Sequence, residues 1–380
     1  MNSSFVTHLS KQDIIKNGSI FTPKFIVEKV KDLVSPYINK NCTVIDFGAG
    51  YGAFLEEFNQ LDCFKLIATE IDNFSYQYLK QQFPNIDVRL ENSLLNIYQK
   101  DYTDKVIVVI GNPPYNDTTS QYKKGEKGHE EVDQQVYARD LGISFLKMYC
   151  EINAKYICVL HPLSYLIKKA NFNSLKQFKD KYKLLKAVIF SSKLFESINK
   201  TNIEFPVVIA LYKKDDIGMT YEYISNFNFE ILGSLKTFSI NNFNTIDGIV
   251  EKYPTKDKLE TDLQFYTIRD INALRRNKTF LTGKCSNGIK VTQENLYLYG
   301  WLDYFKINFN PNDYFLYGNL SPLLPSIYLN KKFKDEIEKY IVNENNVVKD
   351  YAIQHNWNIV SKLNQDYDSD YLKSIISSLV

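Results

Sequence analysis

Short apolar runs alternate with segments of helical periodicity through the first half of the chain. The runs have the length of buried strands, and we predict strands at 43–47, 64–69, 87–90, 105–111, 155–160, 184–190 and 205–212. Apolar residues at helical spacing predict helices after residue 22, after the glycines at 48–52, and near 137–150 and 172–182. Regular alternation of strand and helix predicts an α/β fold with a doubly wound, mostly parallel, seven-stranded sheet.

The alternation stops near residue 215. Residues 215–380 are rich in asparagine, aromatic residues and turn signals, which predicts a second, smaller mixed domain after a first domain at 21–214 and a polar arm at 1–20. Within the second domain, apolar spacing predicts an amphipathic helix at 256–277 and surface helices at 331–340 and 371–379.

Composition restricts the class of protein only coarsely. The chain has 380 residues and a net charge of +2, which argues against a uniformly basic nucleic-acid coat and leaves room for one basic face. Its five cysteines form no CxxC pair and its four histidines have no ligand spacing, so we expect no metal site. No apolar run approaches the ~20 residues that span a bilayer, and we expect a cytoplasmic protein without a membrane segment.

The strand at 105–111 ends in a rigid polar corner. Gly111 is followed by Asn112, Pro113, Pro114 and Tyr115, which continue neither a strand nor a helix. Open α/β sheets bind ligands at the carboxyl ends of their strands. The Asn112 amide oxygen and the Pro113 carbonyl are acceptors, and Tyr115 adds a flat aromatic face, a combination that suits a planar group bearing an NH2. An ordinary strand-ending turn is the alternative.

Two acidic residues accompany a glycine-rich turn earlier in the chain. Asp46 ends the first strand, ahead of Gly48 and Gly50, where it can accept a hydrogen bond from an ammonium or a hydroxyl. Glu70 lies about twenty residues further on, which is the spacing that places a carboxylate on ribose hydroxyls. NAD and S-adenosylmethionine both carry such a ribose, so this pattern does not separate them. Asn92, after the third strand, can bond an adenine edge.

A helix is predicted to begin at Phe21-Thr22-Pro23. Thr22 is suited to cap it and Pro23 to occupy its first turn. The start of a helix also presents backbone N–H groups that can hold a carboxylate.

The order of four motifs resembles the γ-class N6-adenine DNA methyltransferases of restriction-modification systems, the TaqI-type methylases. The motifs are Thr22-Pro23, the glycine turn at 46–52, Glu70-Ile71-Asp72 and the corner at 112–115. The resemblance covers residues 18–212, and the C-terminal part matches in position and size. It implies a Rossmann-like methyltransferase sheet, the cofactor S-adenosyl-L-methionine, double-stranded DNA as substrate, a DNA-recognition domain at 215–380, and a separate cognate endonuclease as a further partner.

The resemblance also implies roles for individual residues. Thr22 and Asp46 would hold the methionine end of the cofactor, Glu70 its ribose and Ile71 its adenine. Asn92 would bond the adenine amino group, where the family more often has aspartate. The complete predicted cofactor site comprises Phe21, Thr22, Pro23, Asp46, Gly48, Gly50, Glu70, Ile71, Asn92 and Asn112.

Methylation of adenine N6 explains the polar corner chemically. The N6 lone pair is delocalised into the ring, and two acceptors, the Asn112 side chain and the Pro113 carbonyl, would bind both N6 hydrogens and direct the lone pair at the methyl group. The base must leave the duplex and stack on aromatic surface, for which Tyr115 and Phe195 are the candidates. With Pro114 these residues form the predicted catalytic set. A core phenylalanine near a strand is the alternative for Phe195.

Phosphate contacts are predicted at two places. The polar loop at 116–130 carries Lys123 and Lys124, and a basic cluster in the second half contains Arg275, Arg276, Lys278 and Lys284. Solvated side chains without contacts are the alternative for both.

Other functions remain open at this point. A corner of this type also suits a methylase of protein glutamine amides or of RNA guanine N2, although the short segment before Asp46 and the long C-terminal part favour DNA. A catalytically silent DNA-binding subunit is a third alternative, against which the intact Asn112 and Glu70 argue. An NAD dehydrogenase would need an acid/base for hydride transfer, and no histidine is placed for one.

Overall fold

A computed structural model describes residues 21–97, 102, 105–115, 132–195, 205–240, 250, 254–266, 279–308 and 327–378. The chain divides into two compact units, Met1–Ser239 and Ile240–Val380. Among the described residues, no helix is both long enough and apolar enough to cross a membrane.

The first unit is built on one mixed sheet. Its strands are β1 (Cys42–Phe47), β2 (Lys65–Glu70), β3 (Asp87–Leu90), β4 (Val106–Gly111), β5 (Tyr156–Pro162), β6 (Tyr182–Ser191), β7 (Pro206–Lys214), β8 (Phe229–Ile231) and β9 (Thr237–Phe238). Its described helices are α1 (Lys24–Val34), α2 (Ala53–Phe58), α3 (Asn73–Gln82), α4 (Leu141–Glu151), α5 (Ser164–Ile167), α6 (Lys169–Ser174), α7 (Gln177–Lys181) and α8 (Tyr221–Ser225).

The strand order is β3-β2-β1-β4-β5-β7-β6-β8-β9. Strands β1 to β5 pair in parallel, and β7 lies antiparallel between β5 and β6. Strands β1, β4 and β5 are almost entirely buried because helices cover the sheet. The doubly wound, mostly parallel α/β fold is therefore confirmed, and each of the seven predicted strands is present.

Two short strands extend the sheet beyond the predicted seven. Strand β8 pairs in parallel with β6, Val188 lying opposite Glu230, and β9 pairs with β8. Hydrogen bonding thus continues the first unit past residue 214, where the sequence pattern placed the end of the first domain. The division between the two units falls after Ser239 instead.

Helix α1 begins differently from the prediction. Pro23, not Thr22, is its N-cap, and the Pro23 carbonyl accepts hydrogen bonds from the N–H groups of Ile26 (3.0 Å) and Val27 (3.2 Å). The predicted capping by Thr22 is wrong because its hydroxyl is used elsewhere, as described below. The apolar stripe of the helix is buried as predicted, comprising Ile26, Val27, Val30, Leu33 and Val34.

The second unit combines a small antiparallel sheet with helices. Its strands β10 (Gln264–Tyr266), β11 (Phe280–Leu281) and β12 (Gly288–Lys290) are ordered β11-β10-β12. The described helices are α9 (Leu296–Asn308), α10 (Lys331–Glu344), α11 (Asn346–Gln354) and α12 (Ser369–Ser377). Helices α10 and α12 confirm the two predicted surface helices.

The amphipathic helix predicted at 256–277 is wrong over its described part. Phe265 lies in β10, where it pairs with Phe280 on one side and Ile289 on the other. Leu259, one of the residues at helical spacing, is 65% exposed. Pairing with two distant strands outweighs the local helical periodicity here. Residues 267–278 lie outside the described residues.

Candidate active site

The polar corner at residues 112–115 meets the glycine turn at one edge of the sheet. Strands β1 and β4 are parallel neighbours, with Asp46 opposite Ile110, so their carboxyl ends lie side by side. Gly111 has a φ of +133°, and a Cβ atom there would overlap the Asp46 carboxylate. Only glycine fits this position. On the other side of the crevice, a Cβ on Gly48 would lie 3.8 Å from the Pro114 ring.

Asn112 is held by the residue that was expected to cap α1. Its Nδ2 donates a hydrogen bond to Thr22 Oγ1 at 3.1 Å, and the Thr22 side chain is buried. This contact joins two motifs that lie 90 residues apart in sequence. Asn112 Oδ1 is then buried and has no hydrogen-bond partner among the described residues. A buried acceptor without a partner is costly, and it marks a place for a donor on a ligand.

Hydrogen bonds fix the glycine turn to the end of β2. The N–H groups of Gly48 and Ala49 donate to the Thr69 carbonyl at 3.0 and 2.9 Å, and the Gly50 N–H donates to Glu70 Oε2 at 2.8 Å. Gly48 and Gly50 both have positive φ values, which glycine adopts without steric cost. The turn is therefore a rigid cradle whose backbone lies against β2.

Asp46 is a buried carboxyl group whose two oxygens have no hydrogen-bond partner among the described residues. Burial raises its pKa to about 8, and the nearby charge of Glu70 adds to this effect. Charge burial of this kind is compensated when a cation binds. The site is thus suited to an ammonium group.

Glu70 and Ile71 form a second binding surface beside the glycine turn. Glu70 Oε1 accepts hydrogen bonds from the N–H groups of Ile71 and Asp72, both at 2.8 Å. Burial raises the Glu70 pKa, and its three backbone N–H donors oppose that shift. Among the described residues Oε2 accepts only the Gly50 N–H, so it keeps acceptor capacity for a hydroxyl. The Ile71 side chain is 63% exposed and offers an apolar face next to this carboxylate.

Comparison with known proteins relates the residues of this site to a protein family. The model of the family described as Eco57I restriction-modification methylase matches residues 40–195, which include the glycine turn, Glu70 and the corner at Asn112. This match confirms the predicted resemblance to methylases of restriction-modification systems and the predicted cofactor, S-adenosylmethionine.

Individual relatives and solved structures match this chain only in part. The ribosomal RNA small subunit methyltransferase A of Coxiella burnetii is 30% identical over 98 residues, which is 25% of this chain and 37% of the relative. The chain thus spans little more than a third of the length of the curated relatives it matches. A methyltransferase structure from Anabaena variabilis is 12% identical with a TM-score of 0.35, covering 57% of this chain and 96% of that one. A dimethyladenosine transferase from Plasmodium falciparum is 15% identical with a TM-score of 0.33, covering 52% and 63%.

The residues at this edge of the sheet fit the chemical groups of S-adenosylmethionine. That cofactor carries an ammonium, a carboxylate, ribose hydroxyls and an adenine ring. The unpartnered Asp46 oxygens suit the ammonium, while Glu70 and Ile71 suit the ribose and adenine. Asn92 is less available than predicted, because its Oδ1 already accepts the Leu94 N–H at 2.9 Å.

Tyr115 rests on the start of helix α4. A Cβ on Gly142 would lie 3.0 Å from Tyr115 Cβ and 2.6 Å from the Tyr165 hydroxyl oxygen. Asp140 caps this helix by accepting the Gly142 N–H at 2.9 Å, and it also accepts the Tyr165 hydroxyl. The Tyr115 hydroxyl is buried and unpartnered among the described residues. Sequence reasoning missed this support, although an aspartate two residues before a glycine at a helix start was a usable signal.

Phe195 does not have the predicted environment. Its side chain is 0% exposed and packs in the hydrophobic core, with its ring 5.4 Å from that of Phe190 at 72°. A ring that stacks on a base must offer an open face, and Phe195 offers none. The structure contradicts its stacking role and agrees with the alternative, a core phenylalanine beside a strand.

Most predicted phosphate contacts fall outside the described residues. These are Lys123, Lys124, Arg275, Arg276 and Lys278. Lys284 is described and exposed, between β11 and β12. All six remain predictions.

Proposed function

We propose that this methylase transfers a methyl group from S-adenosylmethionine to the exocyclic N6 of an adenine flipped out of double-stranded DNA. The observation that carries this proposal is the buried Oδ1 of Asn112, at the same sheet edge as the Asp46 carboxyl group; neither has a hydrogen-bond partner in the part of the chain that the structure describes. The first suits an amine donor on the acceptor substrate, and the second suits the ammonium of the cofactor.

Asn112 and Pro113 would align the adenine amine. The cofactor supplies an electrophilic methyl group on a sulfonium. Asn112 Oδ1 and the Pro113 carbonyl oxygen accept the two N6 hydrogens, so the nitrogen lone pair points out of the ring plane toward that methyl group. The same oxygens stabilise the positive charge that develops on N6, and its extra proton then leaves to solvent. Thr22 keeps the Asn112 amide in this orientation.

The remaining predicted residues take supporting roles. Tyr115 supplies an aromatic face for the flipped base, backed by Gly142, and Pro114 fixes the direction of the corner. Asp46 binds the methionine ammonium of the cofactor, Glu70 the ribose and Ile71 the adenine ring. Beside the methionine end of the cofactor lie Phe21, Thr22 and Pro23. Phe195 has no part in this proposal.

We further propose that the C-terminal part of the chain recognises the DNA sequence and that the methylase is the modification component of a restriction-modification system. The family description supports the second point, and the first rests on the position and size of the C-terminal part. A separate endonuclease with the same recognition sequence would then be its partner.

RNA is the second candidate acceptor. The relative from Coxiella burnetii is a ribosomal RNA methyltransferase, and an acceptor pair such as Asn112 and Pro113 serves an adenine in either nucleic acid. The family that matches residues 40–195 favours DNA.

A single assay tests the acceptor and the catalytic residue together. The methylase is incubated with tritiated S-adenosylmethionine and duplex DNA, structured RNA or protein, and the labelled product is sequenced. We expect label in DNA at adenine N6. Asn112→Ala should lower the rate of transfer by about 100-fold or more while the cofactor Kd stays nearly unchanged.

The exposed Asn59 provides a matched control. Asn59→Ala should leave both the rate and the cofactor Kd unchanged. Label that appears only in RNA or protein would overturn the DNA assignment. If Asn112→Ala weakened transfer and cofactor binding equally, Asn112 would be a structural residue.

A further inference from the structure

A row of lysines lies at the sheet edge opposite the polar corner at residues 112–115. Lys105 directly precedes β4, Lys155 directly precedes β5, and Lys213 and Lys214 end β7. Strand β4 is parallel to β5 and β7 is antiparallel to it, so these four lysines meet at one edge. We call them the basic edge.

The basic edge lines an open cavity of about 760 Å³. The other residues that line it are Val106, Ile107, Ile152, Asn153, Asp215 and Asp216. The lysines outnumber the two aspartates, and the concave shape concentrates their field. The chain has a net charge of only +2, so this local excess of positive charge stands out from the molecule as a whole.

The polar contacts of Lys155, Lys213 and Lys214 leave positive charge at the basic edge. Among the described residues, neither Lys155 nor Lys213 forms an ion pair, and the Lys214 ammonium donates to the neutral Asn153 side chain. Asp215 Oδ1 instead accepts the N–H groups of Ile217 at 2.9 Å and Gly218 at 3.0 Å, which closes a turn. The Lys155 and Lys213 ammonium groups are therefore available to an external anion.

The backbone beneath these side chains is fixed. The Lys155 N–H donates to the Ile107 carbonyl at 2.8 Å, and the Lys214 N–H donates to the Lys155 carbonyl at 2.9 Å. Neighbouring strands lie about 4.8 Å apart, so the three strand ends extend over about 10 Å. Duplex DNA presents one phosphate per ~1.7 Å of its axis, or about six over that length.

We infer that the basic edge binds the phosphate backbone of a second DNA segment, distinct from the segment that delivers the target base. Lys105 and Asn112 lie at opposite ends of β4, seven residues and about 23 Å apart. Among the described residues, the cavity lining contains no aromatic residue to stack on a base and no glycine turn to enclose a free nucleotide. A site whose cations are all lysines contacts phosphates without reading the base sequence of the DNA.

Binding at the basic edge goes beyond the proposed function, because it does not require methyl transfer. It gives the protein a second, sequence-independent hold on DNA that weakens with salt as counterions return to the phosphates. A methylase held in this way would stay near DNA between encounters with its target sites.

Charge reversal in the full-length protein tests the inference. Lys155→Glu with Lys213→Glu changes the basic edge, and Lys80→Glu with Lys236→Glu makes the same charge change at exposed positions elsewhere in the first unit. Binding of a fluorescent 30-bp duplex of arbitrary sequence is followed by anisotropy across a salt series. Loss of two phosphate contacts should reduce the slope of log K against log salt by about 1.8, while the control pair keeps the wild-type slope. Equal slopes in the two double variants would overturn the inference.

A footprint on the unmutated protein tests it without relying on variants that fold. An amine-acylating reagent and mass spectrometry report the accessibility of individual lysines. We expect duplex DNA to protect Lys155, Lys213 and Lys214 but not Lys80 or Lys236. Unprotected edge lysines, or stronger protection by inorganic triphosphate than by DNA at equal phosphate concentration, would refute a DNA site. Asn112→Ala should give the wild-type footprint, so this result is separable from failure of the proposed methylation.

Discussion

Asn112 and Thr22 show what a sequence can indicate about single residues and where it falls short. Both were expected at the site from their motifs, but local rules assigned Thr22 to the cap of α1. Its hydroxyl instead accepts the Asn112 amide. A contact across 90 residues depends on the folded sheet, and local capping preferences contain no information about it.

Removing the Thr22 hydroxyl should uncouple Asn112 from its support. Thr22→Val keeps the side-chain volume but leaves the Asn112 amide without its acceptor. A hydrogen bond of this kind contributes about 1 kcal/mol, so we expect the single-turnover methylation rate to fall about fivefold. Thr22→Ser should restore it. If cofactor affinity fell in parallel with the rate, Thr22 would act mainly by binding the methionine end of the cofactor and not by supporting Asn112.

Asp46 should make cofactor binding depend on pH. Burial, reinforced by the Glu70 charge, raises its pKa to about 8, whereas an ammonium ligand needs the ionised form. Cofactor binding should therefore release a proton, and the association constant should rise by up to tenfold per pH unit toward pH 8 before levelling. Titration calorimetry in buffers of different ionisation enthalpy measures the released proton. Asp46→Asn should abolish the release, and persistence of the release would assign the proton to another group.

The stability of the free protein should change with pH in the opposite direction. In the unfolded chain an aspartate has a pKa near 3.9, so between about pH 4 and 8 the folded state binds the Asp46 proton more tightly. The contribution of this group to the free energy of unfolding therefore decreases as pH rises through that range. Thermal unfolding with and without the Asp46→Asn change isolates the contribution, and it should be absent in the variant.

At the scale of elements, predictions from periodicity succeeded where burial and local pattern agree. Strands β1, β4, β5 and β7 and helix α1 have apolar runs that match their burial. The helix predicted at 256–277 failed because β10 pairs with two strands that are remote in sequence, and periodicity does not register remote pairing. The support of Tyr115 by α4 was missed for a similar reason, since it depends on how the helix packs.

Adding one methyl group at the start of α4 should displace the aromatic face of the corner. In Gly142→Ala the new Cβ meets the Tyr165 hydroxyl and Tyr115 Cβ, and overpacking of this kind costs typically 1–3 kcal/mol. We expect a lower kcat and a smaller fluorescence rise from 2-aminopurine at the target position, with the cofactor Kd nearly unchanged. Gly142→Ala combined with Tyr165→Phe, which removes the clashing oxygen, should recover part of both signals. Wild-type fluorescence in Gly142→Ala would show that Tyr115 does not contact the flipped base.

At the scale of the whole molecule, the boundary between the two units was the least predictable feature. Strands β8 and β9 have only three and two residues, too few to show an alternating pattern, yet they continue the sheet to Phe238. The residues proposed to bind the cofactor, from Phe21 to Asn112, and the main hydrophobic core all lie in the first unit. Cofactor binding should therefore be a property of that unit alone.

A fragment of residues 1–239 tests this separation. It should unfold cooperatively and bind S-adenosylmethionine within a few-fold of the full chain, because its core and its cofactor residues are complete. It should methylate DNA poorly, because we assign sequence recognition to the C-terminal part. Asp46→Asn in the fragment is the control for specific cofactor binding.

A fragment ending at residue 214 should be less stable than the fragment of residues 1–239, since it lacks β8 and the parallel pairing of that strand with β6. Equal stability of the two fragments would place the boundary at 214 after all, and full activity of the longer one would remove the C-terminal part from target recognition.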